Sequence, residues 1–419
     1  MSAAAPEPNP HPGMTFTQFV VLMAALMALS AMGIDAMLPA LPAIATAYRL
    51  PNPNDQQLVV TVFLLSFGGA QLFWGPLMDR FGRKPILLWG LCFYAVFSLV
   101  ASVSPSFELL LLARAMQGVA ISTTRVAPIS IVRDCYSGRR MAQVMSLAFL
   151  VFMTVPILAP TLGQLVILAA SWRWIFGLLA AASLTVAVIT LMKLPETLKP
   201  QAVRAINLTE VIDAFRITLK SRLGMGYTLA STLVFGALFG FINAAPQVFD
   251  QVFHATRLFT LCFAAIAGSI AISSLVNARL VNRLGMRVMS HAALIAFIVV
   301  AAVHAAVAIS GHETLLSFVV LQAVMMFCFG MLSGNFGAMA MEPLGHVAGA
   351  AASAQGFISM VGGSIIGFGI GQQFNGNVTP LTIGYLVCGL TSLGAVFFAE
   401  KGRLFGTSAP GTSVGPAVH

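Results

Sequence analysis

The chain has 419 residues, of which 58% are hydrophobic and only 8% are charged, and its formal net charge at pH 7 is +9. Soluble domains contain about 25% charged residues, and a soluble fold could not cover this much apolar surface with polar groups. The composition therefore excludes a soluble enzyme, a nucleic-acid-binding protein and a disordered chain, and it indicates a protein that crosses a membrane many times.

Twelve apolar runs are each long enough to cross a bilayer as a helix, which takes about 20 residues. They predict an all-α protein with two halves of six spans, because the longest polar break follows the sixth run. The predicted spans one to twelve are 17–46, 56–78, 86–104, 106–132, 141–168, 172–193, 224–248, 257–280, 288–309, 314–340, 347–372 and 379–399.

The spans and breaks predict a chain with two helical bundles. Residues 1–16 are rich in proline and contain no Lys or Arg, so they are interpreted as a short disordered tail and not as a cleavable signal. The remaining predicted parts are an N-terminal bundle at 17–193, a linker at 194–222, a C-terminal bundle at 223–400 and a second tail at 401–419.

Most of the 22 Lys and Arg residues fall in loops on one side of the predicted spans, whereas Arg49, Arg173 and Arg257 fall on the other side. Cytoplasmic loops of membrane proteins carry an excess of Lys and Arg. This asymmetry predicts a protein of the cytoplasmic (inner) membrane with both termini in the cytoplasm. It also explains the basic net charge without a nucleic-acid partner.

The loop after span two recurs after span eight. Residues 75–84 read GPLMDRFGRK, and residues 278–287 read ARLVNRLGMR at a constant offset of 203 positions. A repeat after the second span of each half indicates two parallel six-span units. Such repeats are typical of secondary transporters with a central site between the halves.

The first copy of this loop is a candidate gate. Gly75 would let two helices approach closely, as small residues do in membranes, and Asp79 could pair with Arg83 or with a helix end. Together with Arg80 and Gly82, these residues could hold one side of the protein shut in one state and release it in another. The alternative is that the basic residues only set the topology, which leaves Asp79 unexplained.

Asp35 in span one and Arg114 in span four are ionisable residues at membrane depth, where a charge is expensive and indicates function. At 1.5 Å per residue, they lie about 6 Å and about 7 Å to the outer side of the bilayer centre. Burial favours a neutral carboxyl and a nearby guanidinium favours a charged one, so the pair could exchange a proton for substrate. Alternatively, Asp35 only neutralises Arg114 and holds two helices together.

Pro39 and Pro42 follow Asp35 and remove two backbone N–H groups from the helix. The freed carbonyls could form a polar spot beside the carboxyl, or the prolines could only bend the helix. Arg125 lies on the same helical face as Arg114, and it could line an inner vestibule that attracts anions or extend its side chain to the membrane surface.

Several uncharged polar residues in the spans are candidates for substrate contact, although most of them could equally bond across helices. Gln117 and Asn243 are placed with Asp35, Arg114 and Arg125 in the predicted substrate cavity. His304 in span nine is interpreted as a satisfied polar residue and not as a proton relay.

Motifs for other energy sources and for catalysis are absent from the sequence. No G-x-x-x-x-G-K-[ST] loop indicates an ATP-driven pump, and no H-E-x-x-H or histidine cluster indicates a metal site. The five cysteines have no C-x-x-C spacing and are interpreted as buried apolar residues. No cofactor or metal is expected, so transport would draw on an ion gradient or on downhill flow of substrate.

Three of these segments resemble a known family. Residues 75–84 resemble the loop signature of the major facilitator superfamily, and residues 112–118 (LARAMQG) resemble the span-four motif of its proton-coupled exporters. Residues 159–164 (APTLGQ) resemble the antiporter motif, with Gln164 in place of the usual glycine. Four narrower segments resemble the bicyclomycin/chloramphenicol-resistance (Bcr/CflA) branch: IDAMLPALPAI at 34–44, VRDCYSG at 132–138, WRWIF at 172–176 and LPET at 194–197.

The resemblance implies a major facilitator fold in which spans one and four line a central cavity. It also implies a monomer and a hinge between the halves at Pro160 and Gly163 in span five. Ordinary packing is the alternative for each of these two residues, since proline kinks helices and glycine permits close approach.

The function predicted from these features is proton-coupled antiport that exports small amphiphilic drugs from the cytoplasm by alternating access. Its partners are the substrate, protons and the lipid bilayer. An exporter or importer of a specific metabolite is the main alternative, and sodium coupling stays open because one carboxylate could serve either ion. The missing catalytic cluster and the repeated loop argue against a membrane-bound enzyme or a receptor scaffold.

Overall fold

The computed structural model describes residues 13–202 and 208–406. Within these ranges the secondary structure is helical and contains no β-strand, which confirms the predicted all-α class. Most of the two predicted tails, 1–16 and 401–419, lies outside the described residues, as do residues 203–207 of the predicted linker.

Fifteen α-helices are present in the described residues. Those of the first half are α1 Phe16–Asp35, α2 Leu41–Ala47, α3 Leu58–Phe81, α4 Arg83–Ser102, α5 Phe107–Ile121, α6 Thr123–Cys135, α7 Gly138–Ala169 and α8 Arg173–Lys193. The linker contains α9 Leu208–Lys220. Those of the second half are α10 Arg222–Gln247, α11 Phe259–Leu284, α12 Met286–Ile309, α13 Leu315–Met341, α14 Ala348–Gln372 and α15 Thr379–Ala399.

Eleven helical segments of the described chain are long and apolar enough to cross a membrane. The predicted fourth span is the twelfth crossing, and it consists of α5 and α6, which meet at Ser122 and are each too short alone. The hydroxyls of Ser122, Thr123 and Thr124 donate to carbonyls three residues earlier, at 2.7–2.8 Å. Such bonds compete with the regular helical pattern, which accounts for the break.

Span one is broken directly after Asp35. Helix α1 ends at Asp35, a 3-10 turn covers Leu38–Ala40, and α2 begins at Leu41. Pro39 and Pro42 stand at the starts of the second and third pieces, where a missing N–H is tolerated. The prolines therefore interrupt the helix beside the buried carboxyl and do more than bend it.

The two copies of the repeated loop have the same backbone form. Gly82 joins α3 to α4 with φ of 101°, and Gly285 joins α11 to α12 with φ of 83°. This left-handed region is accessible to glycine at little cost. The matched glycines therefore make the same sharp corner in each half.

Helix packing repeats between the halves. Spans one and five pack together as α1 and α7, and the corresponding spans seven and eleven pack together as α10 and α14. Spans two and four pack together in the first half, as spans eight and ten do in the second. Spans three and six likewise correspond to spans nine and twelve. The bundles meet where α3 packs on α14 and α7 on α11, so the predicted pair of six-helix bundles is confirmed.

The two ends of the molecule differ in charge. We call the end that carries residues 80–84, 133–140, 193–202, 208–222 and 279–287 the basic end, because most of the Lys and Arg residues in the described chain lie there. The opposite end carries the connections at residues 48–57, 103–106, 170–172, 248–258, 310–314 and 373–378.

Candidate functional site

Asp35 is the last residue of α1 and lies buried, with 5% of its surface exposed. Among the described residues its carboxyl makes no hydrogen bond and no ion pair. The following peptide packs against span five, since a Cβ on Gly163 would lie 2.1 Å from the carbonyl oxygen of Ala36. The structure therefore places an unpartnered carboxyl at a helix break inside the N-terminal bundle.

Arg114 does not pair with Asp35, contrary to the prediction. Its guanidinium is fully buried and donates to the carbonyl oxygens of Val59 and Gly33, each at 2.9 Å, and to Gln117 Oε1 at 3.0 Å. The helix break at Asp35 leaves backbone carbonyls nearby that a rigid fork of N–H donors can reach. Arg114 thus ties spans one, two and four together through backbone acceptors.

Gln117 continues this network within the same bundle. Its Nε2 donates to Ser98 Oγ at 2.6 Å, and the Arg114 guanidinium lies 4.2 Å from the centroid of the Phe63 ring. Arg114 and Gln117 are both 0% exposed. In this conformation they form a buried polar network and do not line an open cavity.

Arg125 lies one turn beyond the break between α5 and α6 and is half-buried. Its guanidinium stands about 6 Å from the ring centroids of Phe149 and Phe152 in span five. In the described part of the chain this guanidinium makes no hydrogen bond and no ion pair. Arg125 is therefore held by aromatic faces, which attract a cation electrostatically.

Asn243 is not part of this network and lies at the interface between the two bundles, where it meets Thr61 of span two. Its Oδ1 accepts a long hydrogen bond of 3.5 Å from Thr61 Oγ1, and its buried Nδ2 has no hydrogen-bond partner in the described structure. The predicted cavity residues are thus divided between the interior of one bundle and the interface.

An amide network joins the bundles at the opposite end, and the sequence interpretation missed it. Gln57 Nε2 donates to Gln247 Oε1 at 2.6 Å and to the carbonyl of Gly371 at 3.0 Å. Gln247 Nε2 donates to Asn54 Oδ1 at 2.7 Å, and Gln372 Nε2 donates to the carbonyl of Asn54 at 2.9 Å. In the sequence these amides are marked only by their positions near the ends of spans. Many surface amides have such positions, so the sequence did not single these residues out.

The repeated loop of the first half forms a charged cluster at the basic end. Arg83 pairs with Asp79, as predicted, and its Nε also lies 3.0 Å from Asp134 Oδ2. Glu196 accepts from the backbone N–H groups of Arg83 and Lys84, at 3.0 and 3.1 Å, and so stabilises the start of α4. Asp134 and Glu196 belong to the motifs quoted above, but sequence alone did not show that they meet this loop.

The other three residues of the predicted gate, Gly82, Arg80 and Gly75, have different surroundings. Gly82 makes the corner, and a Cβ there would lie 2.6 Å from Glu196 Oε2. Arg80 is exposed, and no ion pair to it is found in the described residues. A Cβ on Gly75 would meet nothing within 4 Å, so the predicted close approach of two helices at Gly75 is wrong.

The second half has an equivalent cluster, although Asn282 replaces the loop aspartate there. Arg287 binds both carboxylate oxygens of Glu342, at 2.7 and 3.2 Å, and its Nε lies 2.8 Å from Glu400. Glu342 follows span ten as Asp134 ends span four, and Glu400 follows span twelve as Glu196 follows span six. The internal repeat therefore includes the carboxylate partners of the loops.

Pro160 and Gly163 both lie inside α7, and both are buried. Gly163 does allow a close helix approach, but the neighbour is span one of the same bundle, at Ala36 and Pro39. Helix α7 also packs against α11 of the other bundle. A hinge role for these residues stays a prediction.

His304, interpreted from the sequence as a satisfied polar residue, has a polar partner at one of its two ring nitrogens. It is fully buried, and its Nδ1 makes no hydrogen bond within the described chain. Its Nε2 lies 2.9 Å from Glu313 Oε1.

Comparison with known proteins agrees with this architecture. A family model described as Major Facilitator Superfamily matches residues 23–369. A bicyclomycin resistance protein homolog of Haemophilus influenzae is 27% identical over 396 residues, covering 92% of this chain and 97% of that protein. The multidrug resistance protein MdtL of Escherichia coli is 28% identical over 393 residues, with coverage of 92% and 97%.

A solved structure agrees as well. The crystal structure of the peptide transporter POT in complex with sulfate is similar with a TM-score of 0.75, at 13% sequence identity, and covers 96% of this chain. At that identity the likeness concerns the fold alone. The relatives confirm the predicted resemblance to the bicyclomycin/chloramphenicol-resistance branch. From the family match and the two-bundle fold, the chain belongs to the Major Facilitator Superfamily, and it is a membrane transporter and not an enzyme.

Proposed function

We propose that this transporter exports small amphiphilic drugs from the cytoplasm in exchange for protons. The relatives with resistance names support the substrate class, because their names refer to bicyclomycin and to multidrug resistance. The observation that carries the coupling mechanism is the unpartnered, buried carboxyl of Asp35 at the break in span one.

An isolated carboxylate inside a protein is costly, and binding a proton relieves that cost. Asp35 has no counter-ion of its own, since the Arg114 guanidinium is fully engaged with Val59, Gly33 and Gln117. Proton binding therefore changes the net charge of this region by one unit. A substrate that binds only one of these charge states is exchanged for the proton.

Alternating access is supported by the unequal ends of the molecule. The amide network of Asn54, Gln57, Gln247 and Gln372 holds the two bundles together at the opposite end. At the basic end, the two charged clusters are each confined to one bundle. We interpret this conformation as the one that is closed at the opposite end.

The basic end is assigned to the cytoplasm, because cytoplasmic loops carry the excess of Lys and Arg. On this assignment the amide network is the outer gate, and the charged loops face the cytoplasm. Export then requires that the amide network opens after substrate has entered from the basic end. A monomer contains both bundles and suffices for this cycle.

The test uses the purified full-length protein in liposomes with an imposed pH gradient, together with drug accumulation in efflux-deficient cells. Asp35→Asn is expected to lower uphill efflux at least about tenfold, because the side chain can no longer release a proton, which corresponds to about 1.4 kcal/mol or more. Downhill movement of substrate and membrane insertion should persist. Normal uphill transport by this variant would contradict the coupling role.

Glu108→Gln is the matched control, because Glu108 is an exposed carboxylate in the first turn of α5. It should transport as the wild type does. Collapsing the pH gradient while sodium is held constant should stop uphill efflux by the wild type. Efflux that follows the sodium gradient instead would overturn proton coupling while leaving the exporter assignment intact.

A further inference from the structure

A second group of buried polar side chains lies in the C-terminal bundle, far from Asp35 in the sequence. His304 belongs to the last two turns of α12, and Glu313 to the loop that follows at the opposite end. Gln322 lies two turns into α13, and Tyr385 two turns into α15. The four residues therefore come from three helices and one loop.

The members of this cluster contact mainly one another, and some of their buried polar atoms make no hydrogen bond. His304 Nδ1 and Glu313 Oε2 are buried without a hydrogen-bond partner, while His304 Nε2 and Glu313 Oε1 have only each other. The Tyr385 hydroxyl interacts with the Gln322 side chain. Buried polar atoms are normally hydrogen-bonded, so their concentration in one place needs a physical reason.

The two ionisable members are in direct contact. His304 Nε2 lies 2.9 Å from Glu313 Oε1, and the side chains of the two residues are 0% and 6% exposed. Apolar and aromatic groups surround the imidazole, whose ring centroid is 5.5 Å from that of Phe318 and 6.4 Å from that of Tyr385. The contact is therefore shielded from water on several sides.

The charge of this pair depends on how many protons it holds. With no proton beyond the single ring proton of a neutral imidazole, it is a neutral imidazole beside a carboxylate, with a net charge of −1. The protons counted next are added to this form. With one proton it is neutral overall, whether the proton stays on Nε2 or moves to Oε1. With two protons its net charge is +1. Burial penalises both charged forms relative to the neutral one.

Few other ionisable groups face the pair. His312 is exposed in the same loop, and Arg279 and Arg283 of α11 lie at the basic end, on the far side of the bundle. The groups on the packed elements at the level of the pair are Tyr385 and Cys388 of α15, the uncharged Gln322 of α13, and Cys262 in the first turn of α11. None of these supplies a fixed positive charge to balance Glu313. In the 248–258 connection at the same end, Asp250 is half-buried, whereas His254 and Arg257 are exposed, and no ion pair joins Arg257 to Glu313 in the described residues.

We propose that His304 and Glu313 form a proton-binding site at the opposite end of the C-terminal bundle, separate from Asp35. Its ligand is a single proton, which solvent delivers through the loop at residues 310–314 and which bridges Nε2 and Oε1. Gln322 and Tyr385 line the site with polar atoms that can turn toward either charge form. This assignment does not depend on the role of Asp35 in transport.

The experiment measures the melting temperature of the purified full-length protein in detergent, without substrate or gradient. Measurements at about pH 5.5 and about pH 8.5 lie on either side of the unperturbed histidine value of about 6.5. At acid pH, Glu313→Gln should melt below the wild type, because protonated His304 loses its counter-ion. At alkaline pH it should melt at or above the wild type, because an unpaired buried carboxylate has been removed.

The variant His304→Gln provides an independent test of the proton site. It should melt below the wild type at acid pH, where it leaves Glu313 unpaired, and this difference should shrink at alkaline pH, where the wild-type pair has also lost its proton. The matched control is His312→Gln, which removes the exposed neighbouring histidine and should shift the melting temperature by the same small amount at both pH values.

Either variant tests the proposal alone if the other fails to fold. A difference between Glu313→Gln and the wild type that is the same at both pH values would overturn the proton site. The proton site would also be overturned if the difference in melting temperature between His304→Gln and the wild type did not shrink at alkaline pH. Loss of the amphiphile transport proposed above, with these pH differences intact, would leave the proton site standing.

Discussion

Arg114 shows how a single buried charge is stabilised without an ion pair. Its three hydrogen bonds go to the carbonyls of Val59 and Gly33 and to Gln117, and the face of the Phe63 ring lies 4.2 Å away. A planar guanidinium can address several acceptors at once, whereas an ammonium is a point charge. The role of Arg114 in this conformation is therefore to join three spans, and the Asp35 carboxyl has no ion pair with it.

Arg114→Lys is expected to destabilise the protein by about 1–3 kcal/mol, because at least two hydrogen bonds of a charged donor are lost. A denaturing-detergent titration of the purified protein measures this difference. Arg125→Lys is the control, since Arg125 contacts only the rings of Phe149 and Phe152 in the described chain, and it should cost less than about 1 kcal/mol. Equal stability of Arg114→Lys and the wild type would show that the hydrogen bonds of the Arg114 guanidinium do not hold the three spans together.

At the scale of elements, small residues decide where helices touch. Gly163 brings α7 against the backbone of Ala36 in span one, directly after the carboxyl of Asp35. Gly75 lies inside α3, and a Cβ there would meet nothing within 4 Å. Two glycines that both belong to family-like segments thus have different physical roles, and only the packing of the helices separates them.

Gly163→Ala is expected to destabilise the protein by about 1–3 kcal/mol, because the added methyl group would overlap a backbone oxygen and push α7 away from span one. Gly75→Ala is the matched substitution, and it should be neutral or stabilising by up to about 1 kcal/mol, since alanine favours the helix. Thermal unfolding of both variants measures the contrast. If Gly163→Ala were as stable as Gly75→Ala, the close approach at Ala36 would be unimportant for the fold.

At the scale of the whole molecule, the two bundles are joined at one end by amides and carry separate ion-pair clusters at the other. Side-chain amides make short-range bonds without net charge, so such a contact can be broken without leaving an unpaired charge behind. The charged clusters are more costly to take apart when buried. This difference is consistent with the alternating access proposed above, in which the amide interface would open while each bundle moves as a unit.

The double variant Gln57→Ala, Gln247→Ala is expected to shift the population toward conformations that are open at the opposite end, because it removes bonds that only the closed state makes. Spin labels at the exposed positions Ala47 and Asn375, in a variant whose five native cysteines are replaced, report the separation of the bundles there. The measured distances should lengthen. Gln56→Ala is the control, because Gln56 donates within its own segment, to Pro53, and the labels should keep the wild-type distances.

Much of this protein could be predicted from local patterns. The apolar runs predicted the spans because a helix in lipid must satisfy its own backbone hydrogen bonds and cover about 30 Å with side chains that tolerate hydrocarbon. The repeat at an offset of 203 residues predicted two related bundles, and the matched corners at Gly82 and Gly285 confirm it. The pairing of Asp79 with Arg83 was also predictable, since opposite charges stand close together in one short loop motif, on either side of the corner at Gly82.

The contacts between distant segments were not predictable in the same way. Sequence alone placed Asp35 and Arg114 at one depth, but only the tertiary structure shows that the guanidinium binds carbonyls and that the carboxyl stays unpartnered. His304 and Glu313 meet only because a loop folds back onto α12. Span count and charge asymmetry follow from what each segment requires of lipid and water, whereas partner choice depends on the distances and angles that helix packing sets.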